Sequence, residues 1–147
     1  MGVTIEEMQE VVGHRFPGGT YTIESWENVL MSDVTGVAPL PDGIAHPALL
    51  FHVPLAGVGV RVADIFELCH AESDEAVRAG EYRWILHQPL RVGVTYRMSG
   101  EFLGVERKHG RRGGLMDIVT HRIDLHDEAG TLAAATIGSW IFLRSTD

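Results

Sequence analysis

Four segments rich in β-branched and aromatic residues follow one another in the C-terminal half of the chain, at 81–87, 95–107, 115–126 and 131–143. Turn-forming residues separate them, including the sequence DEAG at 127–130. Glycine adopts positive φ angles easily, so Gly130 suits a tight hairpin connection. Strands joined by such short connections run antiparallel. The pattern therefore predicts an antiparallel meander of β-strands.

A long apolar stretch, from residue 43 to about residue 66, precedes these strands. Drawn as a helix it is apolar on nearly all sides, which is typical of a helix buried over most of its surface. Pro54 lies within the stretch and is expected to kink or divide the helix. One buried helix followed by a meander of strands is an α+β arrangement. A curved antiparallel sheet wrapped around a central helix would bury both elements.

The N-terminal third predicts two shorter helices and one strand. Apolar residues recur at helical spacing among acidic residues over 4–12, which predicts an amphipathic helix. Residues 20–23 predict a strand, and residues 24–34 predict a helix with Trp26, Val29 and Leu30 on one apolar face. The sequence has no internal repeat and no low-complexity linker, so we expect residues 1–147 to form a single domain.

Charge and cysteine content exclude several classes of function. The formal net charge is −8, whereas binding along a nucleic-acid backbone requires a basic surface. Cys69 is the one cysteine, which leaves no internal disulfide and no thiolate zinc site. The histidines show none of the spacings typical of metal sites, and no cofactor is predicted. With no signal-peptide pattern and no apolar run able to span a bilayer, we expect a cytoplasmic protein without a membrane partner.

Three motifs, taken in order, resemble those of the MaoC-like hydratases and dehydratases, which have the hot-dog fold. The sequence DGIAHPALLF at 42–51 is similar to the family's entry into the central helix. The sequence HQPLRVG at 87–93 is similar to its turn between two strands. GLMD at 114–117, DEAG at 127–130 and IFLR at 141–144 resemble its last hairpin. The resemblance covers about residues 13–144 and implies a hot-dog domain that handles acyl thioesters.

The same comparison reveals where the chain departs from active members of the family. In those members an Asp and a His supply the acid–base groups, and a backbone N–H at the mouth of the central helix binds the thioester oxygen. With the chain aligned on Gly36, Val37 stands in place of the Asp and Asp42 in place of the His. Pro47 replaces the glycine that provides the N–H, and proline has none. This pattern is similar to the non-catalytic halves of double or heteromeric hot-dog dehydratases, such as the N-terminal domain of fatty-acid-synthase-type dehydratases.

Asp42 and His46 are the catalytic candidates that remain. Their spacing of four residues would place both on one side of a helix beginning here, with Asp42 orienting His46 as a base. The alternative is that Asp42 caps the helix or forms a turn before Gly43, and that His46 is partly buried at the helix mouth. The sequence leaves both alternatives open.

Six further residues are candidates for contact with an acyl thioester: Gly43, Phe51, His52, Arg107, Arg111 and Arg112. The first three lie at the mouth of the predicted helix or within it, where a core position or a subunit contact is the alternative. The three arginines belong to the basic run RKHGRR at 107–112. They could bind the phosphates of coenzyme A or the acidic face of a carrier protein, because guanidinium groups bind phosphate in a bidentate manner. The alternative is a solvated hairpin tip.

The resemblance implies an acyl-binding subunit of a hydratase or dehydratase that lacks the usual Asp/His pair and works with a partner hot-dog subunit. Its ligand would be an acyl-CoA or acyl carrier protein thioester. Hot-dog subunits usually pair edge to edge, since an open sheet leaves unpaired backbone groups, so the resemblance implies a homodimer or heterodimer. One alternative is an enzyme in which Asp42 and His46 perform an unusual dehydration or cyclisation on an acyl or polyketide-like substrate. Another is a ligand-binding module without catalysis.

Overall fold

The computed structural model describes residues 2–112 and 114–145. Its helices are α1 (Ile5–Gln9), α2 (Ser25–Val34), α3 (Val53–Gly57) and α4 (Val62–Leu68), with 3₁₀ turns at Pro41–Gly43, Pro47–Phe51 and Asp74–Ala76. Its strands are β1 (Gly19–Thr22), β2 (Val77–Leu86), β3 (Thr95–Gly110), β4 (Gly114–His126) and β5 (Leu132–Arg144). Every segment predicted as a strand is a strand, with ends shifted by a few residues. Among the described residues, no helix combines the length and the hydropathy needed to cross a membrane.

The strands form one antiparallel sheet in the order β1-β3-β4-β5-β2. Strands β3, β4 and β5 form a meander as the sequence predicts, but β2, the first of the four predicted strands, pairs with β5 at the far edge and not with β3. In the turn between β4 and β5, Gly130 has a φ of 82°. The Asp127 carboxylate accepts hydrogen bonds there from the backbone N–H groups of Ala129 and Thr131, at 3.0 and 2.9 Å. The predicted hairpin at 127–130 is therefore confirmed.

The apolar stretch that precedes the sheet is divided into short helical segments. Pro47 and Pro54 each lie in the first turn of such a segment, where the missing N–H of proline leaves no hydrogen bond unmade. The division expected at Pro54 is confirmed. A second break, before α4, was not predicted. It contains Gly59 at a φ of 82°, where an added Cβ would lie 2.3 Å from the carbonyl oxygen of Gly18. Only glycine fits at that position.

Helix α3 is the central helix, and the sheet curves around it through contacts with β1, β3 and β4. Its close approach depends on Gly57, because a Cβ there would lie 2.6 Å from Met98 Sδ and 2.9 Å from Tyr21 Cβ. The core fills the space between the helical segments and the concave face of the sheet. Its largest fully buried apolar side chains include Leu50, Ile65, Tyr96, Met98, Phe102, Ile123, Leu125 and Phe142.

From Met116 to its end, strand β4 alternates between a buried and a partly exposed face. Asp117, Val119 and His121 share the inward face, as the sequence predicts for residues two apart on a strand. Two of these three inward residues are polar. The buried face of β4 is therefore not a simple apolar surface.

A buried arginine at the end of β5 links that strand to β4, to the segment after α4 and to α1. Arg144, which is buried at the end of β5, donates from Nε to Asp117 Oδ2 at 2.8 Å. It also donates to the carbonyl oxygens of Cys69 and His70, just after α4, and its Nη2 lies 3.1 Å from Met8 Sδ in α1. Burial alone would raise the pKa of Asp117, but hydrogen bonds from Arg107 and Arg144 keep that pKa below its ordinary value.

Candidate functional site

Asp42 lies in a turn rather than on a helix. Its φ of 60° places it in the left-handed region, and its backbone oxygen accepts a hydrogen bond from Arg91 Nη1 at 2.9 Å. The side chain is exposed, and within the described residues its carboxylate has no hydrogen bond to His46. The helix that would have aligned Asp42 with His46 does not begin at residue 42, because the left-handed conformation interrupts it.

Both ring nitrogens of His46 are engaged in local hydrogen bonds. Nδ1 accepts a hydrogen bond from the backbone N–H of Ala48 at 3.1 Å, capping the 3₁₀ turn. The neutral ring therefore carries its proton on Nε2, which lies 3.1 Å from Thr35 Oγ1. The backbone N–H of His46 donates to Asn28 Oδ1 at 2.7 Å. These contacts fix His46 at the helix mouth and use the lone pair that a general base requires.

A second polar cluster, formed by Tyr21, Glu27 and His52, lies where β1, α2 and the start of α3 meet. The Glu27 side chain is only 5% exposed, whereas that of His52 is 56% exposed. The Tyr21 hydroxyl donates to Glu27 Oε1. His52 Nε2 lies 3.5 Å from the Tyr21 oxygen and 3.7 Å from Glu27 Oε1. Burial and the hydrogen bond to Glu27 raise the pKa of Tyr21 to about 12, so the phenol keeps its proton.

Sequence reasoning identified His52 but missed Tyr21 and Glu27. Residues 21 and 52 are 31 positions apart, and no motif spacing connects them. Glu27 lies in the first turn of α2, where its second oxygen accepts a hydrogen bond from the backbone N–H of Glu24 at 2.9 Å. An acidic residue at this position is ordinary for a helix start, so it does not by itself point to a functional site.

Two grooves meet at His52. The first, with a volume of about 220 Å³, is lined by Trp26, Leu30, Met31, Val34 and Leu49, with Glu27 and His52 as its polar members. The second, of about 410 Å³, extends past Phe51, Leu55, Ala56, Val60 and Val62, with His52 and Arg61. Ligand sites are typically apolar surfaces with a few placed polar groups, and both grooves have this composition.

Phe51 joins the second groove to an aromatic cluster beneath it. Its ring centroid lies 5.1 Å from that of Tyr82 in β2, and the Tyr82 hydroxyl accepts a hydrogen bond from Trp140 Nε1 at 3.0 Å. His121 lies between Tyr82 and Trp140, with ring centroids 6.1 and 5.2 Å away. Neither of its ring nitrogens has a hydrogen-bond partner among the described residues.

The remaining predicted contact residues lie away from these grooves. Arg107 is engaged by Asp117 in a bidentate pair, at 2.7 and 2.9 Å, and also donates to the carbonyl oxygen of Val3. Arg111 and Arg112 are exposed in the turn between β3 and β4. Gly43 lies in the 3₁₀ turn with a φ of 70°, and its carbonyl oxygen accepts a hydrogen bond from the Val92 N–H at 2.9 Å. Contact of these residues with an acyl thioester stays a prediction.

Comparison with solved structures identifies the fold. The ChsH1–ChsH2 complex from Mycobacterium tuberculosis gives a TM-score of 0.73 at 16% identity, covering 98% of this chain and 95% of that one. The C-terminally truncated HadBC complex from the same organism, a 3R-hydroxyacyl-ACP dehydratase, gives 0.67 at 14% identity, covering 91% and 98%. A MaoC-like dehydratase from Rhodospirillum rubrum gives 0.53 at 15% identity, covering 99% and 100%.

No protein-family model and no curated protein matches the sequence. The likeness to the solved structures extends over nearly the whole of each chain. The chain therefore has the hot-dog fold, with the α+β architecture that its motifs predict, and MaoC-like dehydratases are among its structural neighbours.

Proposed function

We propose that this chain is an acyl-binding subunit of a MaoC-like acyl-thioester hydratase or dehydratase. The observation that carries the proposal is the apolar groove between α2 and the turn before the central helix, which is lined by Trp26, Leu30 and Val34. These side chains are 63%, 55% and 81% exposed, an unfavourable arrangement unless an apolar partner or ligand covers them. In a hot-dog protein, an acyl chain is a ligand that matches this surface.

The proposal includes a partner subunit that is itself a hot-dog chain. Strand β2 lies at one edge of the sheet, and within the described residues only β5 pairs with it. An unpaired edge of ten residues can accept a further strand. The ChsH1–ChsH2 and HadBC neighbours are complexes by description, which is consistent with pairing between unlike hot-dog subunits.

The alternative site at Asp42 and His46 has less support. A general base needs a free lone pair within reach of the substrate. In His46 the Nδ1 lone pair accepts the Ala48 N–H, and Asp42 provides no contact that would orient the ring. A pair formed by these two residues would require the turn at 42–46 to rearrange.

The test is direct binding of an acyl thioester. Titration of the chain with decanoyl-CoA, followed by calorimetry and by the fluorescence of the tryptophan in the groove, should show saturable binding. Leu30→Arg is expected to weaken that binding by about tenfold to a hundredfold, because it replaces roughly 1.5–3 kcal/mol of apolar burial with a charge. The matched control is Leu103→Arg, since Leu103 is 43% exposed but lies on β3, outside both grooves.

Two outcomes would contradict the proposal. One is a folded wild-type chain that binds neither acyl-CoA nor an acylated carrier protein. The other is an equal loss of affinity in the Leu30 and Leu103 variants, which would place the acyl chain elsewhere or make the binding nonspecific.

A further inference from the structure

The contacts within the Tyr21–Glu27–His52 cluster favour one tautomer of His52. A phenol has a single proton to donate, and that of Tyr21 is directed to Glu27 Oε1. In its 3.5 Å contact with His52 Nε2, the Tyr21 oxygen can therefore only accept. The Nε2–H tautomer of the neutral imidazole matches this contact, since it directs the proton toward two oxygens, at 3.5 and 3.7 Å. The Nδ1 lone pair is left unshared, because Nδ1 has no hydrogen bond to any described residue.

This arrangement distinguishes His52 from the two other histidines near the central helix. The Nδ1 lone pair of His46 is used by the Ala48 N–H, and the His121 ring is buried at 1% exposure within the core. His52 has an unshared lone pair, a partly exposed ring and a place in both apolar grooves. It has the features of a base that a bound acyl group could reach.

Glu27 provides the third element of such a site. A buried carboxylate beside one edge of an imidazole orients the ring and stabilises the cation that forms when the other edge takes a proton. That stabilisation is larger away from water, and the Glu27 side chain is 5% exposed. The hydrogen bonds from Tyr21 and from the Glu24 N–H keep the carboxylate in place before any substrate arrives.

We propose that His52 is the acid–base residue of this chain, that Glu27 and Tyr21 are its positioning residues, and that the substrate is a 3-hydroxyacyl thioester with an apolar chain. The site differs from the Asp42/His46 pair predicted from the sequence and from the Asp/His positions of the active family members. The inference rests on the proposed function, because the acyl chain must occupy the groove for the imidazole to reach it.

The step that follows needs no further reactant. His52 Nδ1 takes the proton from Cα, the electrons of that C–H bond form the C=C bond, and the Cβ–O bond breaks. The imidazolium returns the proton to the departing hydroxyl, which leaves as water. The products are an enoyl thioester and water, His52 is neutral again, and the reverse sequence is a hydration.

The experiment separates binding from proton transfer in the full chain. Exchange of the Cα proton with deuterated solvent is followed by NMR in bound 3-hydroxydecanoyl-CoA, and dehydration is followed by the absorbance of the enoyl product. His52→Gln is expected to lower both rates by about 100-fold or more, the range for loss of a general base. His14→Gln is the matched control, because His14 is exposed and lies outside both grooves.

Variants of the positioning residues give readouts that a purely structural role would not produce. Glu27→Gln and Tyr21→Phe are expected to lower kcat by about tenfold or more while KM changes little, since both variants keep the shape of the side chain and leave the apolar lining of the groove unchanged. Added imidazole should restore part of the exchange in His52→Ala. Thermal unfolding of each variant confirms that it is folded.

Three results would overturn the inference. If the wild-type chain binds the thioester but catalyses neither exchange nor dehydration, His52 is not an acid–base residue and the proposed function stands. If His52→Gln retains wild-type rates, or if Asp42→Asn alone abolishes them, the base lies elsewhere. If the wild-type chain does not bind the thioester, the proposed function fails together with the inference.

Discussion

His121 is a buried histidine whose surroundings, within the described residues, provide no hydrogen bond to its ring. It faces the core from β4 between Tyr82 and Trp140, and neither ring nitrogen finds a partner among the described residues. Burial lowers the pKa of His121 from 6.5 to about 4, because the cationic form would have to be desolvated. The ring is therefore neutral in the folded chain above about pH 4.

This pKa predicts how stability depends on pH. Below about pH 6.5 the unfolded chain takes up a proton at His121, while the folded chain does not do so until about pH 4. The free energy of unfolding should therefore fall as the pH is lowered through this window, by at most about 3 kcal/mol from this residue.

His121→Leu removes the titrating group and keeps an apolar side chain of similar size, so it should flatten the pH dependence of stability in this window. Urea unfolding at several pH values measures the slope for both chains. Other acidic groups contribute equally to the two, and the difference isolates His121. Identical slopes would mean that the imidazole is not desolvated as its position suggests.

For single residues, the sequence was a better guide to which side chains line a groove than to which side chains contact each other. His52 and Phe51 were identified, and both line a groove. The pairing of Asp42 with His46 assumed a helix from residue 42, but a φ of 60° at Asp42 prevents their alignment. Glu27 was not a candidate, because its contacts with Tyr21 and His52 are tertiary and no local pattern encodes them.

Helix α2 turns polar side chains toward the core and apolar side chains toward the surface, the reverse of an ordinary surface helix. Its buried side chains are Glu27, Asn28 and Ser32, and its exposed side chains include Trp26 and Leu30. The predicted apolar face exists, but it points away from the core of the single chain. Glu27 accepts a hydrogen bond from Tyr21, and Asn28 accepts one from the His46 N–H, which lets these two polar side chains pack inward.

In helix α2, replacing a polar side chain should therefore cost more stability than replacing an apolar one. Asn28→Ala should lower the free energy of unfolding by about 1–2 kcal/mol, because it leaves the His46 N–H without its acceptor. Leu30→Ser should change it by less than about 0.5 kcal/mol, since that side chain is 55% exposed. Urea denaturation of the two variants measures both values. A larger loss in Leu30→Ser would indicate that this face is buried in the protein in solution.

Most of the strands and helical segments could be predicted from the sequence. Strands β3, β4 and β5 could be predicted because they are rich in β-branched and aromatic residues and are separated by turn residues, although only β4 alternates in burial over most of its length. The helical stretch could be predicted to divide at Pro54, but not again before α4. That second break follows from the contact between Gly59 and Gly18, which lie far apart in the sequence.

On the scale of the whole molecule, the exposed apolar residues are concentrated along the open edge and the helical side of the sheet. Trp84 and Leu86 on β2 are 38% and 43% exposed, and Phe51, which packs against Tyr82 of the same strand, is 53% exposed. A long edge strand with aromatic side chains is prone to pair with another strand. The sequence predicted this pairing only through its family resemblance, because the exposure of an edge depends on the order of strands.

We expect Trp84→Glu to weaken association between chains. If β2 pairs with a second β2 across a twofold axis, the substitution removes two indole rings and brings two like charges close together. Light scattering after size exclusion should show a dimer for the wild-type chain and a monomer for the variant. Leu103→Glu serves as the control, since Leu103 is on β3 inside the sheet order. A wild-type chain that stays monomeric would contradict self-pairing and favour a second, different hot-dog chain as the partner.

The position of Arg144 has a consequence for how the chain folds during its synthesis. Its guanidinium holds the carbonyl groups after α4, the Asp117 carboxylate on β4 and the sulfur of Met8 in the first helix. Until residue 144 has left the ribosome, Asp117 has only one of its two arginine partners, and the first helix lacks one of its contacts. We therefore expect the domain to close only after synthesis of β5, so that a nascent chain stalled before that strand remains open to chaperones and proteases.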